Sequence, residues 1–143
     1  MLTKSIVFTA AKTAELLMEE TKPQTADTVT VRMEYTVISG GTERASIMAM
    51  PNAGGNKFPK RLGYCGVGHV VEAGEAVTNV AVGDRVLVYH GHHKQYNVVP
   101  ARDVTKVTQE ELDSLEAAFV IIAAMGLGGL RRLALEVGES GMV

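Results

Sequence analysis

Between residues 63 and 74 the chain reads Gly-Tyr-Cys-Gly-Val-Gly-His-Val-Val-Glu-Ala-Gly, so four glycines punctuate a run of strand-forming residues. A glycine inside a strand marks a bend or a point where a second backbone comes too near for a Cβ. That spacing argues against a long helix and for short, sharply curved strands. The clearest alternation lies just upstream, with Val29, Val31, Met33, Tyr35 and Val37 on one face and Thr28, Thr30, Arg32, Glu34 and Thr36 on the other. Such a period of two predicts a half-buried strand of an antiparallel sheet. Further strands are expected at 5–10, through Leu16 to Met18, and at 68–72, 85–89, 95–99 and 104–107, separated by Gly74, Gly83-Asp84, Gly91 and Pro100. Gly40-Gly41 ends the alternating strand, and 50–59 reads as a flexible loop. Many short strands with glycine corners imply a mainly β fold, a small, bent, partly open barrel.

The period changes after residue 107. Thr108 and Glu111 form a capping-box pattern, and Leu112, Leu115, Phe119 and Ile122 recur at helical spacing, with Gly126 closing the helix. A second helical stretch is expected at 131–136, before Gly138-Glu139-Ser140-Gly141 and a strand beginning at Met142-Val143. The longest apolar run, Ala117 to Leu130, falls short of the roughly 20 residues that span a bilayer.

With 143 residues, 46% hydrophobic, the chain can bury the core of one domain. Its formal net charge of -2 and lack of a basic block point away from nucleic acid and membrane surfaces and toward small partners. A single cysteine, Cys65, excludes an internal disulfide, and no secretory leader is visible, which reads as cytoplasmic.

The 63–74 run followed by Gly83-Asp84-Arg85-Val86, and the segment Gln95-Tyr96-Asn97-Val98-Val99-Pro100, resemble the medium-chain dehydrogenase/reductase superfamily. The resemblance extends from Ile6 to Val143 and implies the GroES-like barrel of the catalytic domain over 1–108. It implies a helical segment over 109–137 leading to a nucleotide-binding domain, and at 138–143 the start of that domain's first strand. On this reading the chain is truncated and inactive alone, a fragment of an enzyme that moves hydride between NAD or NADP and an alcohol, aldehyde or ketone. Gly126-Leu127-Gly128-Gly129 lacks the spacing of a dinucleotide loop and follows a helix, so no cofactor site is expected in this chain; the four residues read as a helix-breaking corner. A stand-alone GroES-like binding or scaffold module, or a co-chaperonin, is the alternative.

The resemblance also locates a site. Where zinc-dependent members carry three metal ligands this chain has Gly40, Tyr64 and Ile122, so a zinc-independent branch is implied and no zinc is expected. Thr42, Glu43 and Tyr64 are the candidate catalytic residues. Thr42 either caps a helix from Glu43 to Met50 or relays a substrate proton. Tyr64 either donates to a carbonyl or merely packs in the pocket. Glu43 and Arg44 either pair with the neighbouring domain or face solvent. His90, His92 and His93 are open to two readings, a metal cluster or a solvated hairpin loop, and Cys65 to two, a reactive thiol or a space-filling residue. Val120, Ile121, Ile122, Met125, Leu127 and Leu130 are more apolar surface than the barrel can cover, so the chain is expected to self-associate through this segment.

Overall fold

Valines make the interior. Val29 and Val31 from one strand, Val67 and Val70 from the next and Val86 and Val88 from a third are each 1% exposed or less. β-branched side chains suit this placement, because they are stiff and pack well on a pleated surface. The computed structural model describes residues 1–134, 136 and 138–140. Along these residues run β1 (Leu2–Ala10), β2 (Thr13–Glu20), β3 (Thr28–Thr36), α1 (Gly40–Ile47), β4 (Cys65–Ala73), β5 (Arg85–Tyr89), β6 (Tyr96–Pro100), β7 (Val104–Lys106), α2 (Ser114–Ala118) and α3 (Val120–Leu133).

Five strands form one antiparallel sheet in the order β6-β3-β4-β5-β7, and β1 pairs with β2 in a separate hairpin. The fold is thus the mainly β, partly open arrangement expected. The hairpin is stitched to the sheet by backbone bonds, Ile6 N–H to the His93 carbonyl and Gln95 N–H to the Lys4 carbonyl at 2.9 and 2.8 Å. Side chains add to this: the Arg61 guanidinium donates through Nε to Glu19 Oε1 at 2.8 Å, and Lys94 Nζ lies 3.2 Å from Oε2. The Arg61 hydrogen bond, followed by smaller contributions that include Lys94, holds the Glu19 carboxyl down at about 2.

The β3–β4 pair departs from simple alternation. Its register shifts between Thr30 and Val31 and again between Met33 and Tyr35. The first sets an extra residue, Val71, on β4; the second sets Glu34 on β3 and exchanges the faces of that strand beyond Met33, so Tyr35, expected inside with the valines, is 45% exposed. Thr30, expected outside, is buried; its hydroxyl donates to Glu72 at 3.0 Å and accepts from the Gln24 amide.

The helical segment also differs from expectation. The first helix starts at Ser114, capped by the Asp113 carboxylate accepting from Leu115 N–H at 2.7 Å, not at Thr108. Residues before it are held in a loop, where the Arg85 guanidinium donates to the Gln109 carbonyl at 2.8 Å. Leu115 and Phe119 are each 51% exposed, whereas Ala117 and Ala118 are buried against Val37, Cys65 and Val67. Small side chains let α2 sit close on β4, and the break at Phe119 turns the chain into α3. Gly126 does not close a helix: α3 runs through Gly126, Gly128 and Gly129 to Leu133 and takes up Arg131 and Arg132, ending where Ala134 turns left-handed. The strand expected at Met142-Val143 lies outside the described residues. Among those described, no helix is long and apolar enough to cross a membrane.

A Cβ at Gly68 would stand 2.3 Å from the Arg32 carbonyl oxygen and 2.8 Å from Met33 Cα, so Gly68→Ala is expected to cost about 3 kcal/mol in urea unfolding. Gly129→Ala meets nothing within 4 Å and is expected to stabilise α3 by about 0.5–1 kcal/mol. The lowered Glu19 pKa adds stability that is fully present above its ordinary 4.5 and disappears as pH falls from there toward 2. Glu19→Gln is therefore expected to lower the melting temperature at pH 7 and to leave that of the variant nearly flat across this acid range, where the wild type's falls.

Candidate functional site

The first turn of α1 follows directly from β3 and carries the candidate residues. Ser39 is the N-cap, but its side chain makes no capping bond; its own backbone N–H donates to Glu43 Oε1 at 2.8 Å. Thr42 lies inside the helix and does not cap it. Glu43 turns inward and is 5% exposed, which corrects both readings of this residue from sequence.

Its partner is His93. Glu43 Oε2 and His93 Nε2 are 2.8 Å apart, and on the other side of the ring Nδ1 is 2.7 Å from the Thr36 hydroxyl. Both side chains of the pair are about 95% buried. With a proton on Nε2 facing the carboxylate and the Thr36 hydroxyl donating to Nδ1, every polar atom of the trio is satisfied. His93 is thus no loop histidine in solvent. Its loop approaches so closely because residue 63 is glycine: a Cβ there would lie 2.8 Å from His93 N, and the Gly63 φ of +98° is one that L side chains rarely adopt.

The other two histidines go elsewhere. His90 stacks on Tyr89 at 3.8 Å and pairs with Asp103 at 3.5 Å. His92 has a buried Nδ1 with no hydrogen-bond partner, and burial, followed by the charges of Lys94 and Lys22, lowers its pKa. Among the described residues no three His, Cys, Asp or Glu side chains converge on a point where a metal would sit.

Thr42, Glu43 and Tyr64 line one cleft of about 420 Å3, together with Ser39, Arg61 and Met125. Three separate segments build it: the start of α1, the turn into β4, and the middle of α3. Tyr64 packs edge-on against Tyr89 with ring centroids 6.3 Å apart. Burial, then neighbouring Cys65, pushes its phenol above the usual range, so the hydroxyl keeps its proton at neutral pH. Cys65 itself is 2% exposed in the core, with its thiol pushed up by the same burial, and it fills space. The three positions that the sequence resemblance assigns to zinc ligands offer poor donors. Gly40 has no side chain, Tyr64 presents a phenol, and Ile122 packs against the apolar cluster around Val67. Gly126 to Gly129 lie within α3, so they do not form the strand-to-helix turn that cradles a pyrophosphate.

The sequence offered His93 only as a metal-cluster or loop histidine, and its links to Glu43 and Thr36 were not read from it. They join residues 50 and 57 apart along the chain, and no local pattern marks such contacts.

Comparison with known proteins agrees with this architecture. Residues 25–130 match the model of the alcohol dehydrogenase GroES-like domain. The quinone oxidoreductase of Coxiella burnetii superposes with a TM-score of 0.80 at 20% identity, over 97% of this chain and 47% of that one. A quinone oxidoreductase of Pseudomonas syringae pv. Tomato gives 0.73 at 23% identity, over 96% and 42%. Among curated proteins, the highly reducing polyketide synthase ATR6 of Stachybotrys chlorohalonatus is 37% identical over 65 residues, 42% of this chain and 3% of that protein. The chain therefore spans less than half the length of each of these relatives.

Removing either member of a buried polar pair leaves the other unsatisfied. Glu43→Ala and His93→Ala are each expected to lose about 3 kcal/mol of stability. The double variant should lose less than their sum by about 1–3 kcal/mol, a coupling read from a double-mutant cycle in urea.

Proposed function

Since this chain belongs to the alcohol dehydrogenase GroES-like domain family, we propose that it forms the substrate-side wall of a nicotinamide-dependent oxidoreductase acting on aldehydes, ketones, alcohols or quinones. The observation that carries this reading is the convergence of Thr42, Glu43 and Tyr64 on one cleft. A bound nicotinamide supplies or accepts the hydride. The chain's own residues do the rest. The Tyr64 phenol, protonated at neutral pH and with its pKa raised further by partial burial, donates a hydrogen bond to the substrate oxygen and polarises the carbonyl, the role a metal has in other dehydrogenases. Thr42 offers a second hydroxyl from the same wall, and Met125 an apolar surface for the substrate carbon skeleton.

The donors at Gly40, Tyr64 and Ile122 do not fit zinc, and the reaction is read as zinc-independent. Gly126 to Gly129, inside α3, do not fit a dinucleotide pyrophosphate either, and its binding is assigned to a separate nucleotide-binding domain. Quinones enter the proposal because the two superposed relatives are quinone oxidoreductases.

The exposed side chains of α3 favour a further contact. Met125, Leu127, Leu130 and Leu133 are each more than half exposed, a broad apolar surface that fits the nucleotide-binding domain and, in its absence, a second copy of the chain. The chain by itself is read as inactive and self-associating.

Three measurements test the proposal. Joined to a nucleotide-binding domain, the protein is expected to oxidise NADPH or NADH when given a quinone or an aldehyde, and Tyr64→Phe to lower kcat/KM by about 10²-fold. Turnover absent across such acceptors in a folded, nicotinamide-bound protein would favour the stand-alone binding module instead. The chain alone, dialysed and analysed for metal, is expected to carry no stoichiometric zinc, and it should sediment as a dimer or larger species at micromolar concentration.

A further inference from the structure

Glu43 and His93 stand back to back between two different depressions of the surface. Glu43 lines the 420 Å3 cleft beside Tyr64 and Thr42. His93 and Thr36 line a second depression of about 260 Å3 on the other side, between the β1–β2 hairpin and β3, where Lys4, Glu34 and Lys94 also stand. Between the two the hydrogen bonds are continuous: Thr36 hydroxyl to His93 Nδ1 at 2.7 Å and His93 Nε2 to Glu43 Oε2 at 2.8 Å. A helix anchor would need only the Glu43 contact with Ser39 N–H. It would not need a histidine, whose two nitrogens can pass a proton from one side of the ring to the other.

We propose that Thr36, His93 and Glu43 conduct protons between the outer depression and the reaction cleft, replacing the proton that Tyr64 gives to a reduced carbonyl. This rests on the oxidoreductase reading above. Reduction of a carbonyl takes a hydride at carbon and a proton at oxygen, and the nicotinamide delivers only the first. The phenol gives its proton to the alkoxide as the C–H bond forms, and the phenolate is left in the cleft that Glu43 also lines. Along the path, solvent protonates the Thr36 oxygen as its own proton passes to Nδ1. The Nε2 proton moves to the Glu43 carboxylate, and from there a proton crosses the cleft to the phenolate. One proton leaves the solvent and one reaches the substrate, so charge and atoms balance; His93 is left with its proton on the nitrogen facing Thr36, and a half-turn of the ring brings that proton back to Glu43 before the next turnover, while the reverse sequence serves alcohol oxidation. His93 and Thr36 are relay residues that never touch the substrate. The charged and titratable groups that face the path are Tyr64, Cys65 and Arg61 at the cleft end, His92 beside the ring, and Lys4, Glu34 and Lys94 at the outer end.

The path has a signature independent of turnover. In the chain labelled with ¹⁵N-histidine, the His93 Nε2 proton is expected to exchange with water while neighbouring backbone amides stay protected, and Thr36→Val to slow that exchange by about tenfold. Exchange that is unchanged or faster in Thr36→Val would mean that the proton leaves by local opening, and would overturn the conduit whatever the enzyme assay shows. In the protein joined to its nucleotide-binding domain, His93→Gln retains a donor toward Glu43 but cannot relay. It is expected to lower kcat by about 10²-fold with KM unchanged, to steepen the fall of kcat at alkaline pH, and to regain rate with added imidazole. A His93→Gln protein with wild-type kcat, pH profile and imidazole response would show a purely structural strut and overturn the proposal. Nicotinamide turnover absent in the wild type would count against the oxidoreductase reading and, with it, against any catalytic use of the path, while the exchange measurement still reports whether protons pass.

Discussion

Two central strands of this domain approach each other more closely than side chains permit, and the rest of the structure is arranged around that contact. Cβ atoms added at Gly66 and Gly68 would lie 2.2 and 2.3 Å from the carbonyl oxygens of Tyr35 and Arg32. Only a strand with glycine at both places can lie so tightly on β3, and the same stretch of β3 carries a register shift, after Met33. A bulge increases twist and re-aims the residues that follow. In this case it turns Tyr35 outward and leaves Thr36 beside His93. It also brings the end of β3 to the point where α1 begins. Gly63 repeats the device one turn earlier, letting the 91–93 loop close on the chain just ahead of Tyr64.

That closeness makes possible a polar trio, with Glu43 and His93 buried and Thr36 half-buried, in a domain whose apolar core is mostly valine. A carboxylate and an imidazole are costly to take out of water unless their hydrogen bonds are complete. Completeness here depends on three segments meeting: α1 for Glu43, the 91–95 loop for His93 and the end of β3 for Thr36. The trio therefore ties the position of α1, and with it Thr42 and the cleft wall, to the central sheet. Structural and chemical demands fall on the same atoms. Such an interior is where a polar network has both a high cost if broken and a strong effect on neighbouring groups.

Much of the sheet was legible because its signals are local. The alternation of Val29 and Val31 with polar neighbours, the glycines of β4 and the turn at Gly83-Asp84 each act over a few residues and predicted strands close to those observed. The helical segment was less legible. Counting large apolar residues at helical spacing favoured Leu115 and Phe119 as the buried face, yet Ala117 and Ala118 take that place. Which face of a short helix is buried depends on how near its partner lies, and α2 sits so near β4 that only methyl groups fit. Gly126 was likewise read as a stop, since glycine weakens a helix by about 1 kcal/mol; tertiary context overrode so small a preference.

By itself the sequence determined that the chain makes a bent, glycine-cornered β-domain, because backbone sterics and valine patterning act between near neighbours; its likeness to the dehydrogenases rests on shared motifs. It also placed Thr42, Glu43 and Tyr64 as candidates through their position in family-like motifs. The tertiary structure alone decided what surrounds them. That Glu43 is buried, that His93 and not solvent faces it, and that Thr36 completes the chain of hydrogen bonds are contacts across 50 and 57 residues. No periodicity encodes such a contact: it exists only where several strands, each folded by its own local rules, bring polar groups together in a space from which water has been removed.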